Sequence, residues 1–243
     1  MLQPLFQITH NPLHSLSKAA TIKALLLVSL ASALIGAIGK IVVHDITNYF
    51  SLDFVVGLSA TVIPAAIIYY FLKRNNRDFA DLGLKPGKPL WQTLLWTIGG
   101  YFTITFFLKQ IIPWIIEITN TRPDISHLMG IRGSLPDFIV ILLMVWLTAA
   151  FLEEVIFRGF FINAFDHLFD NNFPIVSIWI SVLLNAILFG LIHFYQGPSG
   201  ILITGIVGLF SGLIYVASGR NLWTVILIHG LIDTFSLYQV YSL

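Results

Sequence analysis

Glu153 and Glu154 are adjacent, and Arg158 follows four residues later, all within the apolar run FIVILLMVWLTAAFLEEVIFRGFF at 138–161. A carboxylate at the centre of a membrane helix costs roughly 2.5–3.5 kcal/mol on insertion scales, so membrane helices either omit such residues or use them. A spacing of four puts Glu154 and Arg158 on one helical face, within ion-pair reach. Phe189 and His193 repeat that spacing, with Asn185 one turn earlier on the same face, and so do His229 and Asp233. Residue type then suggests the chemistry. A carboxylate beside an imidazole can activate water as a general base. A second imidazole presenting an N–H can stabilise a developing oxyanion. Such a set hydrolyses an acyl bond without a nucleophilic serine or cysteine. Ionisable groups facing a common membrane interior also serve proton paths and ion sites, and those uses stay open at this point.

The elements that must carry these groups are apolar helices. Of 243 residues, 57% are hydrophobic and only 10% are charged, with a mean hydropathy of +0.86. A soluble domain carries about 25% charged residues, so a soluble protein with a large core is excluded as the main reading. The net charge of +1 and the lack of a basic tract leave no signal for nucleic acid. There is no cysteine, which removes disulfides and thiolate metal sites. A span needs about 20 mostly apolar residues. Seven candidates meet that need, at about 21–43, 54–72, 91–108, 136–161, 174–197, 199–217 and 222–241. The stretch 111–118, with Pro113, is either an interfacial segment or an extension of the third span. The expectation is an all-α polytopic transmembrane helical bundle of about seven to eight spans, forming one integral-membrane domain over 1–243. The first apolar run reads as a retained helix, since no small-residue cleavage site and soluble domain follow it.

Position along the helices adds two expectations. A turn at 170–173 makes the fourth and fifth spans antiparallel. Glu153 and His193 then both stand roughly 28–33 Å from that turn at 1.5 Å per residue. Asp166, His167, Asp170, Asn171 and Asn172 would let this hairpin protrude, placing the site within the membrane and open to water. Gly205, Gly208 and Gly212 suit close helix packing. His10, His14, His44, His127 and His167 read as interfacial or loop residues. Most Lys and Arg, among them Lys73, Arg74 and Arg77, fall on the side of the N-terminus, which makes that side cytoplasmic by the positive-inside rule.

The ordered blocks E-E-V-I-F-R (Glu153 to Arg158), F-G-L-I-H (Phe189 to His193) and H-G-L-I-D (His229 to Asp233) resemble the CAAX protease and bacteriocin-processing family of intramembrane proteases, also called Abi proteins. The resemblance covers about 135–240, the expected catalytic core; residues 1–130 are similar only as generic spans. It implies an endopeptidase working in or beside the membrane of a prokaryotic cell, on a membrane-associated or lipidated polypeptide, with lipids as its surroundings. The eukaryotic relatives remove the terminal tripeptide of prenylated CAAX proteins. Carried over by motif position, Glu153 would be the general base acting with His193 on water, and Glu154 and Arg158 would position the base or the substrate. His229 and Asp233 would stabilise the oxyanion, and Phe189, with Asn185 on its face, would shape the substrate pocket. The chain departs from some relatives in having Asp233 where they carry asparagine, and an ionised aspartate cannot donate a hydrogen bond. Glu153, His193, His229 and Asp233 are also acceptable Zn²⁺ ligands. The family has been called a metalloprotease, while its eukaryotic-type branch resembles a metal-independent glutamate protease. No His-Glu-x-x-His helix occurs here. The preferred expectation is glutamate-activated water with no cofactor, zinc being the alternative. Rivals from other classes are a proton-coupled transporter, which would show inverted repeats that the sequence lacks, and a non-catalytic bacteriocin-immunity membrane protein.

Overall fold

Apolar runs bounded by Pro, Gly and polar clusters become helices, and the helices pack around the polar blocks. The computed structural model describes residues 11–42, 52–85, 88–170 and 173–243; His10, His44, Asn171 and Asn172 lie outside them. All regular structure among the described residues is helical. Helix α1 is Lys18–Val42, α2 is Leu52–Arg74 and α3 is Leu90–Thr119. Helix α4 is Leu135–Val145, continued by two π-helical stretches, Trp146–Glu153 and Val155–Ile162, and then by α5, Asn163–Leu168. Helices α6, α7 and α8 are Pro174–Ile192, Gly197–Ala217 and Leu222–Tyr241.

Five helical stretches among the described residues are long and apolar enough to cross a membrane, and the count of seven to eight spans is not confirmed. Helix α8 is not among the five; it gives up apolar positions to His229, Asp233, Thr234, Ser236 and Gln239. Residues 111–118 prove to be a continuation of α3. The helix runs 30 residues, about 45 Å, with Pro113 inside it. The fifth span stops at Ile192, earlier than its apolar run, because His193 caps it through N–H bonds to the carbonyls of Gly190 and Leu191. A single 3-10 turn, Phe194–Gln196, then leads into α7.

Two devices hold the helices in register. The first is close packing of α6 on α7. A Cβ on Gly190 would meet the Ile201 carbonyl and the Gly205 backbone, and one on Gly208 would press on Phe189. The second is a buried polar network at the other end of the bundle. Arg220 lies in the α7–α8 turn with φ +58°. It donates from Nη1 to Asn163 Oδ1 (2.5 Å) and from Nη2 to Asp166 Oδ2 (2.6 Å). Asn163 donates to Tyr215 Oη (2.9 Å), and Tyr215 donates onward to the Leu82 carbonyl (2.9 Å). Asn11 and Ser177 also donate to the Asp166 carboxylate. A left-handed non-glycine residue is strained, and it persists where its surroundings over-determine it. Here the guanidinium's two buried partners do so, and they tie the start of α8 to α5.

Candidate active site

The three blocks converge. Glu154 stands between the two π-helical stretches and is fully buried. π turns inside α-helices are frequent at functional sites. Its Oε1 lies 2.9 Å from Arg158 Nη1 and 2.8 Å from His229 Nδ1. On its other side, His229 Nε2 lies 3.3 Å from Asp233 Oδ2. One imidazole therefore bridges two carboxylates. Ionised carboxylates only accept, so either the ring carries a proton on each nitrogen or one carboxyl is protonated.

Arg158 is the largest fully buried side chain among the described residues. It is 2.9 Å from Glu154, yet its guanidinium makes no well-aligned hydrogen bond. Coulomb attraction and the ring beneath it hold it instead. Its Cζ lies 4.2 Å from the centroid of Phe189, a cation–π contact worth about 2 kcal/mol when desolvated. Phe189 is the shared floor of the site. Its ring is 4.8 Å from His193 and 6.2 Å from His229, and its edge packs against Phe157.

Glu153 and His193 are differently placed. Glu153 is half-buried, and its Oε2 is sealed from solvent without a hydrogen-bond partner. His229, Asp233, Glu154 and Arg158 all lie within electrostatic reach of it. His193 Nδ1 is 2.7 Å from the Phe189 carbonyl. A carbonyl only accepts, so Nδ1 carries the proton and Nε2 is left as the basic nitrogen. The structure thus puts Glu154 on His229, whereas motif spacing pairs Glu153 with His193. Asn185 lies one turn along α6 from Phe189, fully buried, and neither amide atom has a hydrogen-bond partner.

Residues 135–235 match the family model described as Rce1-like, type II CAAX prenyl endopeptidase. The matched stretch holds every block above, and it supports the CAAX protease family resemblance for these residues. Together with the apolar helices, it supports an integral membrane protein. No curated protein and no solved structure matches the chain.

Several site neighbours escaped the sequence reading. Trp146 Nε1 donates to Thr234 Oγ1 (3.0 Å), and its ring lies flat where a Cβ on Gly230 would be. Gly230 thus lets α8 approach the first π-helical stretch. The glycine beside His229 was the available signal. Tyr195 packs beside His193, and His127 packs on Tyr195. Their rings are 5.5 Å apart, edge to face, and Tyr195 is 5.8 Å from His193. His127 lies in the turn Ser126–Ile131, outside the spans. Burial pushes its imidazole below the usual histidine range, with Asp124 opposing, so it packs as a neutral ring near pH 7. Its signal was only a lone histidine between spans.

Proposed function

We propose that the chain is a CAAX-type intramembrane endopeptidase that hydrolyses peptide bonds with water activated by Glu153 and His193. The observation that carries this reading is the division of labour between the adjacent glutamates. Glu154 is anchored through Oε1 by Arg158 and His229, whereas the Glu153 carboxylate is held by no ion pair or hydrogen bond to a described residue; the Oε2 atoms of both are buried without a partner. A base needs a carboxylate that is not already committed to a fixed cation, and of the two only Glu153 meets that need. Glu153 takes a proton as the water oxygen attacks the scissile carbonyl carbon. His193 orients the water through Nε2. Glu154 and Asp233 orient His229, whose longer Nε2 contact with Asp233, at 3.3 Å, leaves that N–H able to turn toward the developing oxyanion. Glu153 then returns the proton to the leaving amine.

The donor geometry also bears on zinc. Both nitrogens of His229 face carboxylate oxygens, so a metal on that ring would have to displace Glu154 or Asp233. No group of three or more His, Asp or Glu among the described residues is placed to hold an ion. As arranged, Glu153, His193, His229 and Asp233 do not fit a zinc set without that rearrangement. The substrate would be a membrane-associated polypeptide with a lipid-modified tail, met in the plasma membrane of a prokaryote with the chain's N-terminus cytoplasmic.

Purified protein in liposomes, given an internally quenched peptide with a farnesylated cysteine, tests the reading. Glu153→Ala and His193→Ala should each lower turnover at least about 100-fold, as expected for a general base. Undiminished cleavage by either variant refutes it. Full cellular protection against bacteriocin by Glu153→Ala would instead favour a non-catalytic immunity protein.

A further inference from the structure

The donors available to an oxyanion at this site can be counted. His193 Nδ1–H is spent on the Phe189 carbonyl. Arg158 is fully buried against Phe189 and beside Glu154. Asp233 donates nothing when ionised. The Arg158 N–H groups have no hydrogen-bond partner but are sealed in the core. His229 Nε2, when protonated, is the motif donor best placed to turn toward substrate, and it is shared with Asp233. An oxyanion hole works by several preorganised donors aimed where charge develops, and loss of one is worth about 10²–10³ in kcat. One donor shared with a carboxylate is weak provision for that charge.

Tyr195 is a candidate for the second donor. It lies two residues past His193, in the 3-10 turn between α6 and α7, with its ring 5.8 Å from the His193 ring. The Glu153 and Asp233 carboxylates both lie within electrostatic reach of its hydroxyl. It is 39% exposed, so its ring is not sealed in the core. The Gln196 amide donates to its hydroxyl oxygen (3.2 Å), so the phenol's own proton remains to be given elsewhere. Two further contacts fix the turn. The Asp124 N–H donates to the Gln196 carbonyl (3.0 Å), and His127 packs its ring edge to face on Tyr195. Gly200 is required as well, because a Cβ there would collide with the Gln196 side chain.

We propose that Tyr195 is a further catalytic residue, whose phenol O–H donates to the oxyanion opposite His229. The inference rests on the peptidase reading above. As water attacks, the carbonyl π electrons move onto oxygen, and that oxygen accepts hydrogen bonds from Tyr195 and His229. Collapse restores the carbonyl and expels the amine, which takes the proton held by Glu153. Tyr195 keeps its proton throughout.

The test compares wild type, Glu153→Ala, Tyr195→Phe and Gln196→Ala in the liposome assay with the farnesylated quenched peptide, with thermal midpoints recorded for each. Tyr195→Phe keeps the ring and its packing. It should lower kcat about 10- to 100-fold, leave KM within about twofold and leave the midpoint unchanged. Gln196→Ala should lower kcat less, in the same direction. If Glu153→Ala is inactive while Tyr195→Phe keeps kcat within about twofold, or raises KM alone, the role of Tyr195 is overturned and the peptidase reading stands. If wild type does not cleave, or Glu153→Ala cleaves normally, the peptidase reading falls and this inference with it.

Discussion

At the scale of residues, the critical distance is the 2.8 Å between Glu154 Oε1 and His229 Nδ1. It depends on a neighbour with no chemistry of its own. A Cβ at Gly230 would come within about 2.5–2.6 Å of three Trp146 ring atoms, closer than real Cβ contacts allow. Gly230→Ala must therefore push the first π-helical stretch away from α8. Overpacking of that kind costs about 1–3 kcal/mol, and a displacement near 1 Å at a reacting centre costs about 10²-fold. We expect turnover to fall about 10- to 100-fold, with partial recovery when Trp146 is also shortened to leucine. Normal turnover in Gly230→Ala would show that the approach is not needed. The spacing of Glu154 to Arg158, Phe189 to His193 and His229 to Asp233 was legible in the sequence because it is arithmetic within single helices. The contact of Gly230 with Trp146 was not, because it joins two helices far apart in the chain. Nor was the pairing of Glu154 with His229, since adjacent glutamates on a regular helix give no hint which one a π-helical stretch will turn inward.

At the scale of elements, the α7–α8 turn fixes how far His229 reaches toward the glutamates. Arg220 and Asp166, the latter expected to help a hairpin protrude into water, form a nearly sealed pair 2.6 Å apart. Removing one partner of a buried pair leaves an uncompensated charge and costs about 3–5 kcal/mol. Arg220→Ala should lower stability by that order in denaturant unfolding in detergent micelles. Asp166 keeps donors in Asn11 and Ser177, which places the loss toward the lower end. Arg220→Lys should recover only part of it, because one ammonium cannot reproduce the fork that spans Asn163 and Asp166. A change below about 0.5 kcal/mol in Arg220→Ala would mean that the network does not hold the turn. Helix positions themselves were well marked. Pro136 and Pro174 sit in first turns, as their fixed φ allows. Ser134 takes the N-cap position of α4, but its hydroxyl bonds the Asp137 carboxylate (2.5 Å) and no backbone N–H. The end of α6 was misjudged because Gly197 and Pro198 are strong stop signals, whereas the cap at His193 rests on carbonyls one turn back.

At the scale of the whole molecule, the polar blocks lie among helices whose outer faces are apolar, with Leu147, Leu183, Ile187 and Phe235 exposed. The protein therefore meets lipid around the same helices that hold its charges, and any water-using chemistry must be shielded and preorganised by the chain's own groups. That constraint bears on metal use. A catalytic zinc site keeps three protein ligands and an open position, and its ligating histidine uses one nitrogen for the metal and the other for an orienting partner. His229 has an orienting carboxylate on both nitrogens, so the third ligand would have to come from a rearranged site. Protein purified without added metal should carry well under one zinc per chain by elemental analysis. Cleavage of the farnesylated peptide should survive 1,10-phenanthroline and prolonged dialysis within about twofold, and added Zn²⁺ should not stimulate it. Loss of activity on chelation with recovery on stoichiometric Zn²⁺ would show that His229 exchanges Glu154 or Asp233 for a metal ion. The acids at 153 and 233 would then be ligands, and the base would have to be sought elsewhere among the groups around Phe189.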